Sequence, residues 1–168
     1  APTSSIVCAL ALSDALALTI SSQNNFTVKD FAKTHPGGSI GKRLMVTVSS
    51  IMIKKNIPLV AGDCKFSQLL EKTTKSNLGL AIIVNDEKKL IGVISDGDIK
   101  RIMKENKNSE YIQIKKVMTK KPVIVGPAML AAEALSVLED NNINALPVID
   151  NNKVKGIVTL KDIIKSIN

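Results

Sequence analysis

With 168 residues, 45% of them apolar and 23% charged, the chain can bury a core and is too hydrophobic to be disordered. It has no Trp, one Tyr and three Phe, so that core must be aliphatic. The formal charge of +8 lacks the stacking aromatics and single basic face of a nucleic-acid binder. Its lysines come instead in scattered pairs, Lys54-Lys55, Lys88-Lys89, Lys115-Lys116 and Lys120-Lys121, a solvated surface biased toward anionic small molecules. Cys8 and Cys64 have neither metal nor redox spacing and read as reduced structural thiols.

The first predicted element is a helix that Thr3, Ser4 or Ser5 can cap, with Ile6, Val7, Leu10, Leu12, Ala15, Leu16, Leu18 and Ile20 around nearly its whole circumference. Its apolar stretch, Ile6 to Ile20, is broken by Ser13 and Asp14 and is too short to span a membrane. No signal or transit peptide is recognised, and the expectation is a soluble, cytoplasmic protein. A helix apolar all round needs a surrounding domain, and the residues up to 47 cannot supply one. This leader therefore reads as the end of another domain. His35, the lone histidine, falls in Thr34-His35-Pro36-Gly37-Gly38 ahead of Lys42-Arg43. Pro36 discourages helix through His35, and the glycines permit a sharp turn, so the imidazole is expected on a loop. It suits acid-base work on an anionic substrate, or it is simply a solvated surface histidine.

From residue 48 onward the chain repeats. With a shift of 64 positions, Gly92-Val93-Ile94-Ser95-Asp96-Gly97-Asp98-Ile99 falls on Gly156-Ile157-Val158-Thr159-Leu160-Lys161-Asp162-Ile163. Ala81, Val84, Asp86 and Lys89 fall likewise on Ala145, Val148, Asp150 and Lys153. Ser50-Ile51-Met52 matches Lys116-Val117-Met118 with a shift of 66. Each copy predicts an extended piece (Ile57 to Val60; Pro122 to Val125), then an amphipathic helix (Phe66 to Ser76; Leu130 to Asn141). A hairpin follows (Leu80 to Val84 with Leu90 to Ile94; Ala145 to Ile149 with Val154 to Val158), and a last helix opens at Asp96 or Leu160.

In both copies a hydroxyl and a carboxylate stand three residues apart at a strand-to-helix junction, Ser95 with Asp98 and Thr159 with Asp162. The free N–H groups of a helix N-terminus favour an anion, the hydroxyl can donate to a phosphate, and the carboxylate can accept from ribose hydroxyls. The same residues equally make an ordinary helix cap.

The β-α-β-β-α order with Gly-h-h-Ser/Thr-x-x-Asp resembles the CBS domain over residues of about 48 to 168. The resemblance implies an α+β fold of tandem repeats, 48–108 and 109–168, packed as a pseudo-twofold pair with two clefts between them. It also implies nucleotide binding at Ser95, Asp98, Thr159 and Asp162, with Asp63, Lys116 and Met118 flanking the first strands and holding the base.

The leader adds a second resemblance. Ala1-Pro2-Thr3-Ser4-Ser5, Asp14-Ala15-Leu16-Ala17, Phe26-Thr27, Asp30-Phe31-Ala32 and His35-Pro36-Gly37-Gly38 are similar to the end of the sugar isomerase (SIS) domain of D-arabinose 5-phosphate isomerases. That domain is α/β and leads directly into two CBS repeats. Ser13 stands where the family has Gly. The resemblance implies that 1–47 ends such a domain and that the whole protein interconverts ribulose 5-phosphate and arabinose 5-phosphate in Kdo biosynthesis, for lipopolysaccharide or capsule. It also implies that His35 belongs to the active site, while a Lys and two Glu lie upstream. Enediol chemistry of this kind needs neither cofactor nor metal. The expected partners are the sugar phosphate, a nucleotide or CMP-Kdo at the CBS pair, and further copies in a dimer or tetramer, with no nucleic acid and no membrane. A stand-alone nucleotide sensor or oligomerisation module is the alternative.

Overall fold

The structure, a computed structural model, describes residues 1–27, 30, 31, 34, 43–105 and 112–167. It divides into two compact units, Ala1–Met45 and Val46–Asn168.

The first unit is built on helix α1, Thr3–Gln23. The residue preceding it is Pro2, so Thr3, Ser4 and Ser5 lie inside the helix and none caps it; Ser5 Oγ donates to the Pro2 carbonyl at 3.0 Å. Because Thr and Ser extend the helix beyond its apolar stretch, its 21 residues are long and apolar enough to cross a membrane by length and composition alone. This corrects the expectation of a stretch too short to span. None of its residues is buried, and Leu18 is 71% exposed. Asp14 at its midpoint would be costly at the centre of a bilayer. His35 and Pro36-Gly37-Gly38 lie outside the described residues.

The second unit holds both repeats. In the first, α2 (Val48–Ile51) is followed by β1 (Leu59–Ala61), α3 (Phe66–Ser76), β2 (Leu80–Val84), β3 (Leu90–Ser95) and α4 (Asp96–Glu105). In the second, α5 (Ile114–Val117) precedes α6 (Ala131–Asp140), β4 (Ala145–Asp150), β5 (Lys153–Thr159) and α7 (Leu160–Ile167). β1 runs parallel to β2, which pairs antiparallel with β3; β4 pairs antiparallel with β5. The β4–β5 turn places Asn151 and Asn152 at φ 48° and 60°, as a two-residue hairpin twisted like its strands requires.

The two repeats differ at their first strand. The expected strand Pro122 to Val125 reduces to one parallel bridge, Val125 with Val148. Pro147 explains the loss. Its carbonyl accepts from Val125 N–H at 3.1 Å, but it has no N–H on the same edge to continue the pairing.

Alternation along the strands divides the aliphatic side chains between two faces. Ala81, Ile83 and Ile94 bury against Phe66, Leu69, Ile99 and Ile102 of α3 and α4, while Leu146, Val148 and Val158 bury against α6 and α7. The opposite faces meet each other, with Leu80, Ile82, Val84 and Val93 of one sheet clustering with Ala145 and Ile157 of the other. Each buried Leu, Ile, Val or Phe side chain among them contributes roughly 1.5–3 kcal/mol.

The leading segments cross over. Val48 of α2, at the start of the first repeat, lies in the core of the second, and Ile114 of α5 lies in the core of the first. Each crossing ends in a reciprocal backbone pair. Ile53 and Ile157 exchange hydrogen bonds of 2.8 and 3.1 Å, and Val93 and Thr119 exchange bonds of 3.0 and 2.9 Å. This reciprocity is the pseudo-twofold relation of a tandem α+β pair.

Candidate functional site

Between the repeats lies a cleft of about 410 Å³, within the range of small-ligand sites. One wall is the β3–α4 junction with Ser95, Asp96, Gly97 and Asp98. The other is supplied by Lys121 to Val123 and by Asn142 to Ala145 with Pro147, and Thr119 lines the cleft beside its backbone partner Val93.

At the first junction the helix cap is fully formed. Ser95 donates to Asp98 Oδ2 through both its hydroxyl, at 2.7 Å, and its backbone N–H, at 3.0 Å. In return, Asp98 N–H donates to Ser95 Oγ at 3.2 Å, and Arg101 Nη1 donates to Asp98 Oδ1 at 3.0 Å. Partial burial acts to raise the Asp98 carboxyl, but the hydrogen bonds from Ser95 and the Arg101 guanidinium outweigh it and hold it below its ordinary value. At the second junction Thr159 Oγ1 donates to Asp162 Oδ2 at 2.5 Å, and Asp162 N–H donates to Thr159 Oγ1 at 3.3 Å. Both hydroxyl–carboxylate pairs therefore exist as caps, and both are half-buried.

Of the residues singled out from sequence, Ser95 and Asp98 line the cleft. Thr159 and Asp162 occupy the corresponding junction of the second repeat. Asp63 lies elsewhere, in a separate cavity of about 370 Å³ with Gly62, Cys64, Lys65 and Ile112 to Lys115. Burial raises the Cys64 thiol there, with Lys72 opposing and Asp63 adding to the rise. Lys116 is exposed on α5, outside the cleft lining. Met118 is half-buried against the first-repeat core, where its sulfur covers Gly92.

Sequence reasoning missed Thr119, Lys121, Asn142 and Asn144. The internal repeat contained a usable signal. Thr119 follows the matched Met118, and Asn142-Ile143-Asn144 corresponds to Asn77-Leu78-Gly79, with Asn77 and Asn142 both at positive φ and Gly79 also lining the cleft. Among the described residues no group of His, Cys, Asp and Glu could hold a metal ion.

The family model described as CBS domain matches residues 48–105 and 114–168. Among curated proteins, the chain is 35% identical over 99% of its length to arabinose 5-phosphate isomerase KdsD of Yersinia pestis, covering 51% of that protein. It is equally identical over 99% of its length to the KdsD of Pseudomonas aeruginosa, covering 52% of it. The chain thus spans about half the length of the curated relatives it matches. Among solved structures, the CBS domain pair of protein MJ0100 in complex with 5-methylthioadenosine and S-adenosyl-L-methionine superposes with a TM-score of 0.63 and 26% identity. That match covers 71% of this chain and 94% of that one. CBSX2 in complex with AMP gives the same TM-score and coverages at 24% identity, a likeness of fold. Two family matches, one per repeat, agree with the crossed, reciprocal packing of residues 46–167, and the chain belongs to the CBS domain family.

Proposed function

We propose that this chain is the regulatory CBS pair, with the closing segment of a sugar isomerase domain (residues 1–47), of an arabinose 5-phosphate isomerase. One observation carries the reading. The 35% identity to KdsD proteins extends over 99% of the chain, including residues 1–47 that lie outside both CBS matches. A free-standing sensor has no reason to share that leader with isomerases. The exposed apolar surface of α1, unusual for a monomer, is then the buried face of a catalytic domain. The whole protein would interconvert ribulose 5-phosphate and arabinose 5-phosphate in the cytoplasm as a homo-oligomer, with His35 as one acid-base group of its site.

The cleft is the regulatory site in this reading. Ligands of the adenosine type fit its size and its polar walls, and the MJ0100 pair, a quarter identical, is described with two of them. CMP-Kdo, the activated end product of the route such isomerases serve, offers the same ribose diol for Asp98 and is the preferred ligand, with adenine nucleotides next.

Two measurements test the proposal. The protein translated from the complete reading frame should isomerise ribulose 5-phosphate, residues 1–168 alone should not, and CMP-Kdo should alter the rate. A complete reading frame that adds nothing resembling the amino-terminal half of the relatives would overturn the isomerase reading. Calorimetry on the 168-residue chain addresses the cleft. If CMP-Kdo, AMP, ADP and ATP all fail to bind below about 1 mM, near −4 kcal/mol, the pair is an oligomerisation device instead.

A further inference from the structure

The two walls of the cleft carry unlike charge. Asp96 and Asp98 stand on the first-repeat wall, and Lys121 is the one cation among the described residues that line the site. An anionic ligand group set against Ser95 would meet both carboxylates. It would also find the Ser95 hydroxyl proton already given to Asp98 at 2.7 Å, and the Ser95 oxygen already accepting from Asp98 N–H at 3.2 Å. Arg101, the cation nearest Asp98, is spent on it at 3.0 Å and is not part of the cleft lining. Lys121 is different, with no hydrogen bond or ion pair to any described residue. Pro122 after it restricts its backbone to extended conformations, so the ammonium is carried from a defined point on the second-repeat side. Asn142, held at φ 52°, and Asn144 add amide donors and acceptors on that same side.

We propose that Lys121 binds the anionic group of the ligand, while the ligand's hydroxyls turn toward Asp98 and Asp96. The inference rests on the reading of this cleft as a nucleotide site; it keeps the ribose at Asp98 and moves the anion from the Ser95 hydroxyl and helix N-terminus to Lys121. A ligand so placed bridges the repeats, anion on one and sugar on the other. The specificity of the cleft for phosphorylated ligands then resides in a single side chain from the segment that enters the second repeat.

The test compares AMP and CMP with adenosine and cytidine by calorimetry on the 168-residue chain. The wild type should favour the monophosphates by about tenfold or more, as for a hydrogen bond to a charged group. Lys121→Gln should abolish that preference and leave nucleoside affinity unchanged. Lys120→Gln, as a control on net charge, should keep it, and so should Ser95→Ala with native circular dichroism. A preference retained in Lys121→Gln, or lost in Ser95→Ala, would overturn the proposal. If the wild type binds neither nucleosides nor nucleotides, the nucleotide reading of the cleft fails first. Binding without phosphate preference in the wild type sinks only the role of Lys121.

Discussion

Gly156 lies so close to Ile53 that a Cβ built on it would sit 2.7 Å from the Ile53 carbonyl oxygen. That carbonyl accepts from Ile157 N–H, so it cannot retreat without loosening the backbone pair that joins the repeats. Gly92 has the matching position, where a Cβ would come within 2.8 Å of the Thr119 carbonyl and 2.6 Å of the Met118 sulfur. Glycine occurs at these sites because another backbone crosses over them.

Gly156→Ala should therefore destabilise the chain by about 1–3 kcal/mol, the usual range for overpacking. Gly126 is the control, because a methyl group added there would meet nothing within 4 Å, and Gly126→Ala should stay within about 0.5 kcal/mol. Urea unfolding followed by circular dichroism measures both. Equal midpoints for the two variants would refute the crossing argument.

The Asp98 cap gives a pH signature. Its carboxyl is held below the ordinary value in the folded state, so its contribution is present above the unfolded pKa of about 4. As pH falls through that value and then through the lower folded one, the contribution disappears. Wild type should exceed Asp98→Asn in stability at pH 7, and the gap should shrink steadily on acidification below about pH 4. A gap that is constant from pH 7 to about pH 2.5 would show that the Asp98 charge is irrelevant to the cap.

The same carboxylate should matter for binding. Asp98→Ala is expected to weaken CMP-Kdo or AMP by about 1.5–3 kcal/mol through the lost bonds to the ribose hydroxyls. Calorimetry with a 2′,3′-dideoxyribose analogue provides the check, since the analogue should bind the variant and the wild type with nearly equal affinity. A full Asp98→Ala penalty with the analogue would assign the effect to folding of the junction.

Helix α1 has no buried residue, so its amides are protected only by local helix formation. In the 168-residue chain, hydrogen exchange should open α1 far more readily than Ile91 to Ile94, whose strand is buried between sheet partners and helices. Protection of α1 equal to that of β3 would mean that it has found a partner surface, for instance a second copy.

In the complete isomerase, His35→Ala should lower kcat by at least about 10²-fold, the contribution of a positioned acid-base group. Activity within about threefold of wild type in folded protein would return His35 to the role of a solvated loop residue.

The primary sequence by itself determined the repeat, the order of its elements and most of their limits. Local chemistry decides these: β-branched strands around Asn151-Asn152, the spacing of Phe66, Leu69 and Thr73 on α3, and hydroxyl–carboxylate caps at Ser95 and Thr159. Each of these is settled by neighbours within a few residues. What faces what was decided only in three dimensions. Nothing local indicates that Val48 packs in the second repeat and Ile114 in the first, or that Gly92 and Gly156 mark a crossing of chains. Nor does spacing reveal that Asp63 and Ser95 line different cavities, while Lys121 and Asn144 share one with Ser95. Even the missing strand near Pro122 depended on Pro147, a residue on the neighbouring strand with no N–H to offer. Contacts between segments far apart in sequence depend on the pairing of the two sheets, and periodicity within one segment carries no information about its partner.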